Sequence, residues 1–305
     1  MPAWPGPVLA IGGGLLAIVA LVAGELEAQG QIDAGGGLFQ WLAVIGAAAF
    51  VVGLVYVAIR QLRVRSYLAP ERYRGPAVLI LVLLVLALSF LFTLPFTADA
   101  TALVTGEGDL SLLGSIALLI STQVALLLVS WFLVFRPGAL AGLPSLPGRN
   151  AAAAIGAGIG FGVIAWLGST IVAALSAAVL QALGMEVEPQ AAAQAIEQVE
   201  PWLVVVALVI LAPIAEEIFF RGVVFNALRR EGGRTWAYIG SAALFAVIHL
   251  SLPVLVPLFL LGLALAWIYE RSNNLLAPMA AHAAVNAISV AVALLVRFDV
   301  VQLPV

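Results

Sequence analysis

The chain reads as a succession of apolar runs, most of them as long as a bilayer is thick. A spanning helix needs about 20 mostly apolar residues. Candidate runs stand near residues 5–24, 38–59, 75–97, 110–135, 155–183, 201–228, 236–250, 254–270 and 277–297. In lipid every backbone N–H and C=O must be satisfied inside the chain, which leaves helices and closed barrels as the only spanning structures. The runs are continuous rather than alternating, so the expected fold class is all-α: a polytopic membrane helical bundle of about eight or nine transmembrane helices. The seventh run is short for a full crossing. The first lacks a basic leader, so it reads as a helix rather than a signal peptide. Composition agrees: 64% of residues are hydrophobic and 10% charged, where a soluble domain carries about 25% charge.

Charge orients the bundle. One set of connections holds Arg60, Arg63, Arg65, Arg72, Arg74, Arg136, Arg149, Arg229, Arg230, Arg234 and Arg271. The alternate set holds Glu25, Glu27, Asp33, Asp99, Glu107, Asp109, Glu186, Glu188, Glu197 and Glu200, with no basic residue. The positive-inside rule puts the arginine loops in the cytoplasm, with the N-terminus inside and the C-terminus outside. The expected location is the cell membrane, with a site open to the cytoplasmic side. The five arginines between 60 and 74 read as an orientation signal first and as contacts to anionic lipid head groups second. The net charge of −3 points away from a nucleic-acid partner. The absence of cysteine removes disulfides, thiolate nucleophiles and Cys-bound metals. Gly156, Gly158, Gly160 and Gly162 sit in an apolar run with no strand before them, which favours close helix packing over phosphate binding. Trp4, Trp41, Trp202 and Trp236 fall near helix ends and fit an interfacial belt.

The chemistry is concentrated in three of the apolar runs. Ionisable groups at membrane depth cost roughly 2.5–3.5 kcal/mol each on insertion scales, so they are usually kept for function. The chain has only two histidines, His249 and His282, and both fall in such runs. A third run carries Glu216 and Glu217, followed by Arg221. Glu217 and Arg221 are spaced i,i+4 and share a helix face, while Glu216 points about 100° away, free to face a cavity. His282 and Asn286 share a face in the same way, and Phe245 precedes His249 by one turn. Counted from the nearest arginines at about 1.5 Å per residue, Glu217, His249 and His282 lie roughly 18, 22 and 16 Å deep, in one layer. Pro213, just before the acidic pair, is placed to break or kink the sixth helix.

Glu216-Glu217-x-x-x-Arg221, Phe245-x-x-x-His249 and His282-x-x-x-Asn286, in that order on separate helices, resemble the three signature motifs of the CPBP family. That group joins the type II CAAX prenyl endopeptidases to the Abi, or bacteriocin-processing, intramembrane proteases. The resemblance covers residues 201–297. It divides the chain into family-variable helices over 1–150 and a catalytic core over 151–305. It implies that Glu216, His249, His282 and Asn286 are catalytic, with Glu217, Arg221 and Phe245 in support. Residue chemistry is compatible with that. With no cysteine, and no serine patterned beside a histidine and a carboxylate, an activated water is favoured over a covalent nucleophile. Glu216 is the expected general base, His249 its partner on the water, and His282 with Asn286 the donors to an oxyanion. Glu216, His249 and His282 could also supply one carboxylate and two imidazoles to Zn2+. The sequence leaves metal and metal-free mechanisms both open, and Asn286, a poor zinc ligand but a good oxyanion donor, tips the reading to the metal-free one.

The expected activity is therefore an intramembrane endopeptidase. Its substrate is a peptide or a prenylated protein cut near the C-terminus, or a bacteriocin or signal peptide, met among membrane lipids. Two other readings use the same residues. A proton-coupled transporter would need buried Glu and His relays and inverted repeats, and no repeat stands out. A non-catalytic immunity or scaffold protein would have no need of an intact motif set.

Overall fold

The computed structural model describes residues 75–96, 99, 110–135, 150–183, 191–249, 251 and 253–300, together with scattered positions between 5 and 56. The first two candidate spans and the arginines at 60–74 lie largely or wholly outside the described residues. Among the described residues every regular element is helical, and the molecule is a polytopic helical bundle. The helices are α1 (Gly75–Thr93), α2 (Leu112–Val129), α3 (Ala151–Ala182), α4 (Ala191–Gln198), α5 (Pro201–Val204), α6 (Ala212–Glu217), α7 (Asn226–Val247), α8 (Leu255–Ser272) and α9 (Leu276–Arg297). A π-helical turn, Ser130–Phe135, extends α2. Two more, Val205–Leu211 and Ile218–Phe225, join α5 to α6 and α6 to α7.

Five stretches are long and apolar enough to cross a membrane, and they make this an integral membrane protein: Leu112–Phe132, Ala151–Ala182, Pro201–Val247, Leu255–Ser272 and Leu276–Arg297. The third is 47 residues long. Laid straight it would run about 70 Å, more than twice the hydrocarbon thickness. It folds back instead at Gly233, whose φ of 78° no L-residue adopts readily. The two arms then pack on each other, with the Phe225 and Tyr238 rings 5.5 Å apart. The sixth and seventh spans expected from the sequence are these two arms.

Local chemistry sets the helix ends. Ser111 caps α2 through the Gly114 N–H at 2.9 Å. Asn273, left-handed at φ 49°, closes α8, and Asn274 Oδ1 accepts from the Leu276 N–H to open α9. Pro201 and Pro278 stand in first turns, where a missing N–H costs nothing.

Among the described residues, three of the apolar clusters follow one another along the bundle. One end packs Leu119, Ile196, Leu203, Val204 and Val290. The middle packs α1 and α2 against Phe219, Phe220, Phe245 and Leu265. The other end, which carries Arg229, Arg234 and Arg271, packs Phe225, Tyr269, Leu275 and Met279. There Glu270 accepts from Arg229 at 2.9 Å, from Arg234 at 2.8 Å and from the Tyr238 hydroxyl at 2.8 Å, tying both arms of the hairpin to α8. Trp202 and Trp236, at opposite ends, are exposed, as an interfacial belt requires.

Glycine brings α3 against α9. A Cβ at Gly158 would strike the Ala277 carbonyl, and one at Gly162 the Ala281 carbonyl. Gly156 and Gly160 face open space. The glycine run is thus a packing stripe of alternate residues, and it seats the helix that carries His282.

Candidate active site

The acidic pair sits in a helix whose winding changes around it. Pro213 has no N–H to give, so an α-turn around it would leave a carbonyl unpartnered. The helix does not break there. It widens to π-turns before and after α6, and such insertions recur at functional sites. The widened second turn is held by Asn226, whose side-chain amide donates to the carbonyls of Arg221 at 2.7 Å and Gly222 at 3.1 Å and to the Tyr269 hydroxyl at 2.9 Å.

Glu217 and Arg221 are both fully buried. Arg221 Nη1 donates to Glu217 Oε1 at 2.9 Å, and Nη2 donates to the Gly262 carbonyl at 3.0 Å. The guanidinium also lies 4.8 Å from the centre of the Phe245 ring, a cation–π contact. A Cβ on Gly262 would come within 2.9 Å of Ala242 Cα, so glycine lets α7 and α8 approach closely enough for this contact. Glu217 does more than its i,i+4 spacing indicates. The same Oε1 accepts from His282 Nδ1 at 3.0 Å, across 65 residues of chain. That bond places the His282 proton on Nδ1 in the neutral ring and leaves Nε2 as the acceptor. Nε2 lies 4.0 Å from Glu216 Oε2.

His249 is oriented by its own helix. Its Nδ1 lies 2.7 Å from the Phe245 carbonyl, which can only accept, so Nδ1 is the donor and Nε2 is again the free lone pair. The Phe245 ring stands between the two imidazoles, 5.1 Å from His249 and 5.7 Å from His282. Asn286 donates one N–H to the Leu208 carbonyl at 2.7 Å, in the π-turn before the acidic pair. An amide carries a second N–H, which remains for another acceptor. Glu216 is buried, and its Oε2 has no hydrogen-bond partner. A buried, unpaired carboxylate oxygen is costly to keep and marks a place where something else binds.

Glu216, His249, His282 and Asn286 all line one cavity of about 590 Å³. The three motifs therefore converge from three helices, as their shared depth indicates. Further wall residues had no signal in the sequence: Gln123 and Thr122 on α2, Ser169 and Thr170 on α3, and Ser289 on α9. Gln123 is 8% exposed and its Oε1 is unpaired. Lone polar residues in apolar runs are indistinguishable by pattern from helix-packing contacts. Among the described residues no three His, Asp or Glu side chains converge closely enough to hold a metal ion. As they stand, Glu216, His249 and His282 do not form a zinc site.

The cavity has a direction. Its α8 wall is Pro257, Leu258 and Leu261, near the end remote from Arg271. Its α4 wall is Ala195 and Ile196, and on α9 it runs from His282 to Ala293. Among the described residues, none of the lining comes from the ends that carry Arg229, Arg234 and Arg271.

Residues 198–288 match the family model described as type II CAAX prenyl endopeptidase Rce1-like. The chain is 30% identical over 104 residues to "Putative membrane peptidase YdiL" of Bacillus subtilis (strain 168), covering 34% of this chain and 42% of that protein. It is 30% identical over 78 residues to "UPF0177 protein YxdF" of Lactococcus lactis subsp. lactis (strain IL1403), covering 25% and 42%. The chain thus spans less than half the length of each of these curated relatives. No solved structure matches it. The matched segment contains all three motifs, so the resemblance read from them is borne out over residues 198–288.

Proposed function

We propose that the protein is an intramembrane endopeptidase that hydrolyses a peptide bond with a water activated by Glu216. The observation that carries this reading is the unpaired, buried Oε2 of Glu216, facing His282 Nε2 at 4.0 Å in a cavity that also holds His249 and Asn286. A carboxylate with a free oxygen can take a proton from water held between it and an imidazole nitrogen. The hydroxide adds to the scissile carbonyl, forming a C–O bond and an oxyanion. The proton held by Glu216 then passes to the leaving nitrogen as the C–N bond breaks, so Glu216 ends as it began.

His249 shares the water through Nε2. The second N–H of Asn286 serves the oxyanion. His282 can donate to the oxyanion only from Nε2, which requires a ring carrying both protons. In the neutral ring Nε2 accepts and helps to hold the water. Glu217 positions His282 and neutralises Arg221. The metal-free form is the one proposed here, and it is supported by Glu216, His249 and His282 not converging as a ligand set among the described residues. The family match supports a peptidase that meets its substrate in the membrane, either a CAAX-type C-terminus or an exported peptide. The arginine asymmetry supports a cytoplasmic N-terminus, and the cell membrane is the proposed location.

The test is cleavage of a prenylated C-terminal peptide, its unprenylated counterpart and a hydrophobic signal-type peptide by purified protein in detergent. Wild type and Glu216→Ala are run with and without a strong zinc chelator. Cleavage by wild type alone, unchanged by the chelator, is the expected result. Cleavage that survives in Glu216→Ala removes Glu216 as the base, and loss of cleavage on chelation replaces the metal-free mechanism.

A further inference from the structure

Glu216 is not alone in holding an unpaired oxygen on the cavity wall. Among the described residues, six bury a side-chain nitrogen or oxygen that no hydrogen bond satisfies, and two of the six line the cavity: Glu216 and Gln123. Gln123 is 8% exposed, and its unpaired atom is Oε1. An amide oxygen cut off from water and left unpaired destabilises the fold that holds it. Other hydroxyls of the wall are already engaged. Ser169 and Thr170 donate to the Trp166 carbonyl at 3.0 and 2.9 Å, and Ser289 accepts from Trp166 Nε1 at 3.1 Å.

α2 carries none of the three motifs, yet it packs against the helix of the acidic pair, with Leu126, Ala215 and Phe220 in one apolar cluster. On its cavity side Gln123 stands between Leu119 and Leu126, about one turn either way, as Glu216 stands between Ala212 and Phe220. Polar residues in membrane helices ordinarily join one helix to the next. That role requires a partner on another helix, and among the described residues Oε1 has none. What it lacks is a donor. The Glu216 carboxylate and the Nε2 atoms of His249 and His282 are acceptors and cannot supply one. The backbone of a peptide lying in the cavity can, because every residue other than proline brings an N–H.

Resting on the peptidase reading above, we infer that Gln123 is a substrate-binding residue, whose Oε1 accepts a backbone N–H of the bound peptide outside the scissile bond. With the scissile carbonyl at Asn286 and this N–H at Gln123, the peptide is held at two points from two helices, which fixes its register against Glu216. The contact is to backbone, so it is indifferent to the side chains of the peptide and to any lipid it carries.

The test pairs a change in the protein with a change in the peptide. Gln123→Met keeps the length of the side chain and removes the amide. Each peptide of the cleavage assay that wild type cuts is remade with an ester in place of one backbone amide at a time, the scissile bond excepted. The ester removes the N–H and keeps the carbonyl. For Gln123→Met the expected KM is about two- to twelvefold higher, the effect of losing one neutral hydrogen bond, with kcat little changed. One ester position should raise KM by a similar factor in wild type and add nothing in Gln123→Met, since both changes remove the same bond. An unchanged KM in Gln123→Met means that Oε1 meets only water, and overturns the inference. Ester effects that all persist undiminished in Gln123→Met overturn it as well. Melting temperature gives a readout that needs no turnover. Gln123→Met should hold or exceed the wild-type value, and a marked fall reveals a partner within the fold and overturns the inference. The two readings fail separately. Cleavage by wild type with KM unaffected in Gln123→Met removes Gln123 alone, whereas a wild-type protein that cuts none of the peptides removes the peptidase reading and Gln123 with it.

Discussion

Glu217 is the residue on which the buried polar network turns, because one of its oxygens serves two partners. Oε1 accepts from Arg221 and from His282, and all three groups are buried. Glu217→Gln keeps an acceptor but leaves the Arg221 charge unopposed. Breaking a buried pair costs about 3–5 kcal/mol, so a marked fall in melting temperature is expected for Glu217→Gln. Turnover should fall as well, because His282 loses the carboxylate that orients it. A variant with unchanged thermal stability contradicts this account of Glu217. Gln123 presents the opposite case. Its buried amide oxygen has no partner, and such groups destabilise the fold that holds them. Gln123→Leu should therefore be at least as stable as wild type. If Gln123 pairs with the substrate backbone, losing about 0.5–1.5 kcal/mol raises KM roughly two- to twelvefold with kcat little changed. Steady-state kinetics on a cleaved peptide separates the two parameters, and an unchanged KM removes Gln123 from substrate binding.

At the scale of elements, the placement of His282 depends on a helix that carries no catalytic group. α3 packs on α9 through Gly158 and Gly162, whose missing Cβ atoms let the Ala277 and Ala281 carbonyls approach. Gly162→Val forces the helices apart beside Ala281, the residue before His282. Overpacking of this kind costs typically 1–3 kcal/mol. The expected outcome is a lowered melting temperature with a larger loss of cleavage, while Gly160→Val, facing open space, changes neither. Equal behaviour of the two variants contradicts the packing role. The glycine run and the three i,i+4 motifs were legible in the sequence because both follow helical periodicity. The π-turns around Pro213 were not, because they depend on which carbonyls the Asn226 amide and neighbouring helices satisfy. Nor was the Glu217–His282 bond, which joins residues 65 apart that only tertiary packing brings together.

For the whole molecule, hydropathy made the helical bundle readable, and the Gly233 turn explains how one 47-residue helical stretch supplies two arms. The cavity was hidden, since it depends on side chains from seven helices and not on any one run. The central claim is that Glu216 supplies the base and Glu217 the frame. The most direct measurement is cleavage rate and melting temperature of Glu216→Gln beside wild type, in the same detergent. The account predicts that cleavage is lost while the melting temperature holds, because Glu216 Oε2 has no partner in the fold to lose. Cleavage retained by a folded Glu216→Gln protein would contradict it.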